Sequence, residues 1–170
     1  MEQRIEFILN GAPVCGTADC RMMLVDFLRD VRGLTGTKIS CREGECGACT
    51  VMLDGQPVNS CLVPVCTVAG KEVTTIEGLR DDPLAKLAIG ALAAFGAAQC
   101  GYCTPGMVMM CVSILRTGRD YTGPEVRSAL EGNLCRCTGY QKIVDAVLYC
   151  LEARKHDLAN DKEEDRHAVD

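Results

Sequence analysis

Thirteen cysteines stand in 170 residues, and eight of them fall into groups whose spacing suits metal ligation. Cys41, Cys46, Cys49 and Cys61 follow the pattern C-x4-C-x2-C-x11-C. This is the plant-type spacing by which four thiolates hold a [2Fe–2S] cluster. Gly44 and Gly47 lie inside the loop. A chain that wraps three thiolates around one side of a cluster needs tight turns and amide hydrogens aimed at sulfur, and glycine permits both. Such amide donors stabilise the reduced, more negative cluster and so tune its potential. Cys61 is the expected fourth ligand, delivered by a following hairpin, with Cys66 as the fallback. A single tetrahedral zinc ion is the competing occupant, although structural zinc sites mostly use two short cysteine pairs.

The second half carries Cys100-x2-Cys103 and, after 31 intervening residues, Cys135-x-Cys137. Each pair stands beside a predicted helix N-terminus, at Thr104-Pro105 and near Gly139-Tyr140, where the helix dipole and free amides favour a cluster's negative charge. Spacing alone leaves zinc and iron–sulfur both open here. Of the other five cysteines, Cys111 and Cys150 fall in apolar helical stretches and read as buried thiols. Cys15 and Cys20 flank a turn and could pair, but free thiols are expected in a reducing compartment. His156 and His167 lie in or beside an acidic tail and read as solvated.

The elements that position these thiols change character along the chain. Arg4 to Leu9 alternates Ile5, Phe7 and Leu9 with polar neighbours and runs into Asn10-Gly11, a hairpin turn signal. Leu24, Phe27, Leu28 and Val31 recur at helical spacing between Met22 and Arg32, with Gly33 as the stop. A second hairpin is predicted from Thr50 to Leu53 through Asp54-Gly55 to Pro57–Val63, and a short strand from Val73 to Ile76. After Gly78 the period turns helical. Asp82 is placed to cap a helix opening at Pro83; Thr104-Pro105 opens the next. Thr122-Gly-Pro-Glu125 forms a capping box ahead of Val126, Leu130 and Leu134. A fourth helix begins near Tyr140. The organisation expected is α+β: a β-rich unit over residues 1–78, a helical unit over 79–155 and a charged tail over 156–170.

Composition narrows the function. Apolar residues are 48% and charged residues 24%, as in a soluble globular protein, and no stretch approaches the roughly 18 apolar residues of a membrane span. The net charge of −5 comes mostly from residues 156–170, which hold six acids against two bases. The remaining near-neutral body lacks the basic face that nucleic acid would require. The opening MEQRIEFILNG has no basic stretch ahead of an apolar one, so a cytoplasmic location is expected. So many cysteines in a reducing compartment argue for metal before disulfides.

Three motifs, CREGECGACTVMLDG, QCGYCTPGM and GNLCRCTGYQKI, together resemble the small iron–sulfur subunit of the molybdenum hydroxylases, the xanthine oxidase and aldehyde oxidoreductase family. The likeness runs from about residue 4 to residue 153 and leaves the tail uncovered. It implies a plant-type ferredoxin-like β-grasp domain followed by an all-α four-helix domain, each with one [2Fe–2S] cluster. The ligands implied are Cys41, Cys46, Cys49 and Cys61, then Cys100, Cys103, Cys135 and Cys137. The resemblance also implies that Gln99, Cys100 and Cys137 approach a molybdopterin held by a large partner subunit. The first cluster would lie toward FAD on a further partner or another acceptor. The role implied is an electron relay with no substrate-transforming site of its own. An independent two-cluster ferredoxin or redox sensor is the alternative.

Overall fold

Glu2–Leu9 (β1) and Ala12–Asp19 (β2) form the first hairpin in the computed structural model, which describes residues 2–155 in full and the backbone as far as 167. The expectations for the 156–170 tail, His156 and His167 lie outside the described residues. Asn10 and Gly11 turn the hairpin with φ of 53° and 78°, the left-handed pair that a two-residue turn requires. Ile5, Phe7, Leu9 and Val14 point inward. The predicted helix is shorter than its periodicity. Leu24–Asp26 (α1) passes at once into a widened π turn, Phe27–Val31, in which the amide of Arg32 donates to the carbonyl of Phe27 at 3.0 Å. This turn keeps Phe27 and Leu28 buried and leaves Val31 exposed.

Thr50–Leu53 (β3) and Gln56–Asn59 (β4) make the second hairpin, and Glu72–Thr74 (β5) completes a five-stranded sheet in the order β2-β1-β5-β3-β4. β5 runs parallel to β1 and antiparallel to β3. The strand predicted to continue to Val63 stops at Asn59, because Ser60 turns inward. Its amide and its hydroxyl both donate to the carbonyl of Cys49, at 3.3 and 2.6 Å, and start a 3-10 turn over Ser60–Leu62. That bend carries Cys61 beside Cys49.

Four further helices follow: Pro83–Ala94 (α2), Thr104–Arg116 (α3), Gly123–Ala129 (α4) and Gln141–His167 (α5). Asp82 caps α2 by accepting the Ala85 amide at 3.0 Å, and the Thr122 amide donates to the Glu125 carboxylate at 2.7 Å ahead of α4. α4 ends before Leu134, which is exposed instead of continuing the apolar face expected of it. Ala88, Met107, Val112, Val126, Ile143 and Val147 belong to one apolar core among these helices, and Met52 of β3 inserts into it. A separate core under the sheet gathers Ile5, Phe7, Leu24, Leu28, Val51, Val65 and Val73. No helix among the described residues is long and apolar enough to cross a membrane.

Candidate metal centres

The loop between α1 and β3 wraps Cys41, Cys46 and Cys49 around one end of the sheet, and the turn after β4 supplies Cys61. Cys49 and Cys61 are buried against Val25, whereas Cys41 and Cys46 are only half-buried. The sulfurs meet in pairs, Cys41 with Cys46 and Cys49 with Cys61. The Glu43 amide donates to Cys41 Sγ at 3.4 Å. That bond, helped by Cys46 and by the Glu45 amide, lowers the Cys41 thiol to about 7. Burial pushes Cys49 in the opposite direction, up to about 11. One side of the site is thus wet and amide-rich and the other dry.

Gly44 and Gly47 have φ of 81° and 63°, and neither has room for a side chain. A Cβ on Gly44 would strike the Leu62 side chain, and one on Gly47 would strike the carbonyl of Gly132 and lie 2.6 Å from Asn133 Cγ. The two glycines therefore let the loop turn and let it lie against its neighbours.

The second group forms at the start of α3 and in the loop between α4 and α5. Cys103 immediately precedes α3 and pairs with Cys135, while Cys100 pairs with Cys137. Burial pushes Cys103 up to about 12. Cys135 is also raised by burial, but the Thr138 hydroxyl donates to its Sγ at 3.1 Å and hydrogen bonding leaves the thiol lowered on balance. Cys100, Cys137 and Gln99 are exposed, as are the rings and side chains of Tyr102 and Leu134 nearby in sequence. Each group of four thiols thus contains two close pairs, with weaker electrostatic interactions between the pairs.

Residues that the spacing pattern did not single out join the two groups. The Leu134 amide donates to the carbonyl of Cys46 at 2.9 Å. Asn133, 4% exposed, donates through Nδ2 to the Gly47 carbonyl at 3.0 Å and to Thr50 Oγ1 at 3.2 Å. Thr50 Oγ1 donates in turn to Gly47 O at 2.7 Å. Tyr102 Oη donates to the Ile39 carbonyl at 2.5 Å. Gly106, in the first turn of α3, has the Gly47 carbonyl where a Cβ would be. In the sequence, Asn133 looks like an ordinary loop residue; its partners lie 83 and 86 residues away.

The remaining cysteines divide differently from the expectation. Cys111 and Cys150 are buried in the helical core as foreseen, and burial raises their thiols to about 12 and about 11. Cys15 is exposed on β2. Cys20 is not a free thiol and does not pair with Cys15. It forms a disulfide with Cys66, with Cα atoms 5.2 Å apart, which also removes Cys66 as a fallback ligand. The Val65 amide donates to the Met22 carbonyl at 2.9 Å and lines up the two segments, a contact that a separation of 46 residues conceals.

Residues 14–94 match the model of a 2Fe-2S iron-sulfur cluster binding domain, and residues 75–148 that of a [2Fe-2S] binding domain. The chain is 43% identical over 152 residues to the nicotinate dehydrogenase small FeS subunit of Eubacterium barkeri, covering 87% of this chain and 94% of that one. It is 41% identical over 156 residues to a xanthine dehydrogenase of Blastobotrys adeninivorans, covering 85% of this chain but 11% of that longer protein. Among solved structures, quinoline 2-oxidoreductase from Pseudomonas putida 86 superposes with a TM-score of 0.84 at 41% identity, over 91% of this chain and 97% of that chain.

Proposed function

The chain belongs to the small iron–sulfur subunits of the molybdenum hydroxylase family, and from that premise we propose that it conducts electrons between a molybdopterin-bearing large subunit and a flavin or other acceptor. The two [2Fe–2S] clusters, when bound, take up and release one electron each. In this reading Cys41, Cys46, Cys49 and Cys61 hold the first cluster, and Cys100, Cys103, Cys135 and Cys137 hold the second. Pairing of the thiols supports both sets. The two separate cores support a ferredoxin-like β-grasp domain over 1–78 and a four-helix domain over 79–155, with 156–170 as a tail.

The observation that carries the relay is the hydrogen bond from the Leu134 amide to the Cys46 carbonyl. It joins a ligand of the first cluster to the residue preceding Cys135, a ligand of the second. Asn133, Thr50 and Gly106 hold that junction closed on either side. The exposed Cys100, Cys137 and Gln99, with apolar Tyr102 and Leu134 close to them in sequence, support docking of the molybdopterin subunit on that face. An FAD-bearing subunit would take electrons from the first cluster. We place the chain in the cytoplasm, a reading supported by the commitment of eight cysteines to metal ligation where disulfides would otherwise compete for them.

The test is iron and acid-labile sulfide analysis with EPR after reduction. About four irons and four sulfides per chain, with two distinct signals, are expected for two such clusters. Cys46→Ser should lose or weaken one signal only. Zinc without sulfide, or a Cys46→Ser protein with both signals at full intensity, would overturn the reading.

A further inference from the structure

Around Cys135 the loop closes a ring of hydrogen bonds. The Cys135 amide does not reach a sulfur but donates to Tyr140 Oη at 2.8 Å, and that hydroxyl donates onward to the Asn133 carbonyl at 3.3 Å. The Tyr140 amide donates to Thr138 Oγ1 at 3.3 Å. With its lone pair engaged by that amide, the Thr138 hydroxyl directs its own proton to Cys135 Sγ at 3.1 Å. Linked donors of this kind polarise one another. The half-buried position of Cys135 weakens solvent screening of the bond.

We infer that the Thr138 hydroxyl raises the reduction potential of the second cluster by donating its proton to the Cys135 sulfur. The inference rests on the proposed ligation by Cys135. A hydrogen bond to a cluster thiolate is stronger when the cluster carries the extra electron, so it favours the reduced state. Thr138 is a positioning residue: it acts through Cys135 and its brace, Tyr140, fixes the direction in which the hydroxyl points.

The experiment is a potentiometric EPR titration of the full chain in its assembled enzyme, comparing wild type with Thr138→Val and Thr138→Ser. At the potential that half-reduces the wild-type second cluster, Thr138→Val should lower the reduced-to-oxidised ratio about tenfold, about 59 mV for a one-electron couple. Thr138→Ser, which keeps the hydroxyl, should stay within about twofold of wild type on the strength of the same bond. The first cluster should not move in either variant. A shift under about twofold in Thr138→Val, or equal shifts in the valine and serine variants, would overturn the inference. Loss of the second cluster in both Thr138→Val and Thr138→Ala, with retention in Thr138→Ser, would make the hydroxyl a builder of the loop and also overturn it. Failure of the ligand assignment has a separate signature, a Cys135→Ser protein that keeps both clusters.

Discussion

A methyl group added at Gly106 tests whether the two cysteine loops are held in one fixed relation. The Cβ of Gly106→Ala would land on the Gly47 carbonyl, a backbone atom that no rotamer change can clear, and 3.0 Å from Asn133 Nδ2. Relief requires α3 to back away from the first loop. The bonds across the junction are Asn133 to Gly47 at 3.0 Å, Asn133 to Thr50 at 3.2 Å, Leu134 to Cys46 at 2.9 Å and Tyr102 to Ile39 at 2.5 Å. Displacing the loops by several tenths of an ångström takes the longer of these out of hydrogen-bond range. Losing two or three at about 1 kcal/mol each costs about 2–3 kcal/mol. The usual gain from replacing a helical glycine, roughly 0.5–1 kcal/mol, offsets part of it. Gly90→Ala in α2 isolates that gain, because nothing lies within 4 Å of its added Cβ. The same substitution should thus destabilise at 106 and stabilise at 90, a difference of about 2–3 kcal/mol by the two estimates together. Denaturant unfolding of the cluster-loaded protein measures it, and EPR of the reduced clusters should show weaker spin–spin coupling in Gly106→Ala alone. Equal stability of the two variants, with unchanged coupling, would refute the junction.

Two further perturbations follow from the same structure. Replacing Cys20 by serine should lower stability by up to about 4 kcal/mol, the loop-entropy value for a closed loop of 46 residues, and reduction of the wild type should do the same; identical unfolding under reducing and oxidising conditions would contradict a formed bond. Asp82 is raised by partial burial, but the Ala85 amide and the Arg116 guanidinium, 2.7 Å away, lower its carboxyl on balance. Its folded value is depressed, so its contribution is present above the ordinary carboxylate range near 4 and is lost as pH falls through the folded value. Asp82→Ala should cost about 1–2 kcal/mol at neutral pH. Asp82→Asn should flatten the stability profile below about pH 4 relative to wild type, and an unchanged acid slope there would sink the assignment.

The features legible in the sequence are those decided by residues close together along the chain. Asn10-Gly11 and Asp54-Gly55 announced their hairpins because few other residues adopt left-handed φ cheaply. Asp82 and the Thr122–Glu125 box marked helix starts through bonds only three residues long. The spacing of Cys41, Cys46 and Cys49 lay in a single loop and needed no tertiary contact to be noticed. Contacts over long separations had no such signal. Ser60 bends β4 toward Cys49 across 11 residues, Cys20 finds Cys66 across 46, and Asn133 reaches Gly47 across 86. Leu134 read as a continuation of a helix face and instead stands exposed with its amide on Cys46. Periodicity reports which side of an element is apolar, whereas the partner that satisfies a given backbone group is chosen only when the elements pack. Local chemistry in the chain thus determined that two sets of four thiols were available, and the packing of α3 and the Asn133 loop against the first cysteine loop decided that the two loops lie against each other.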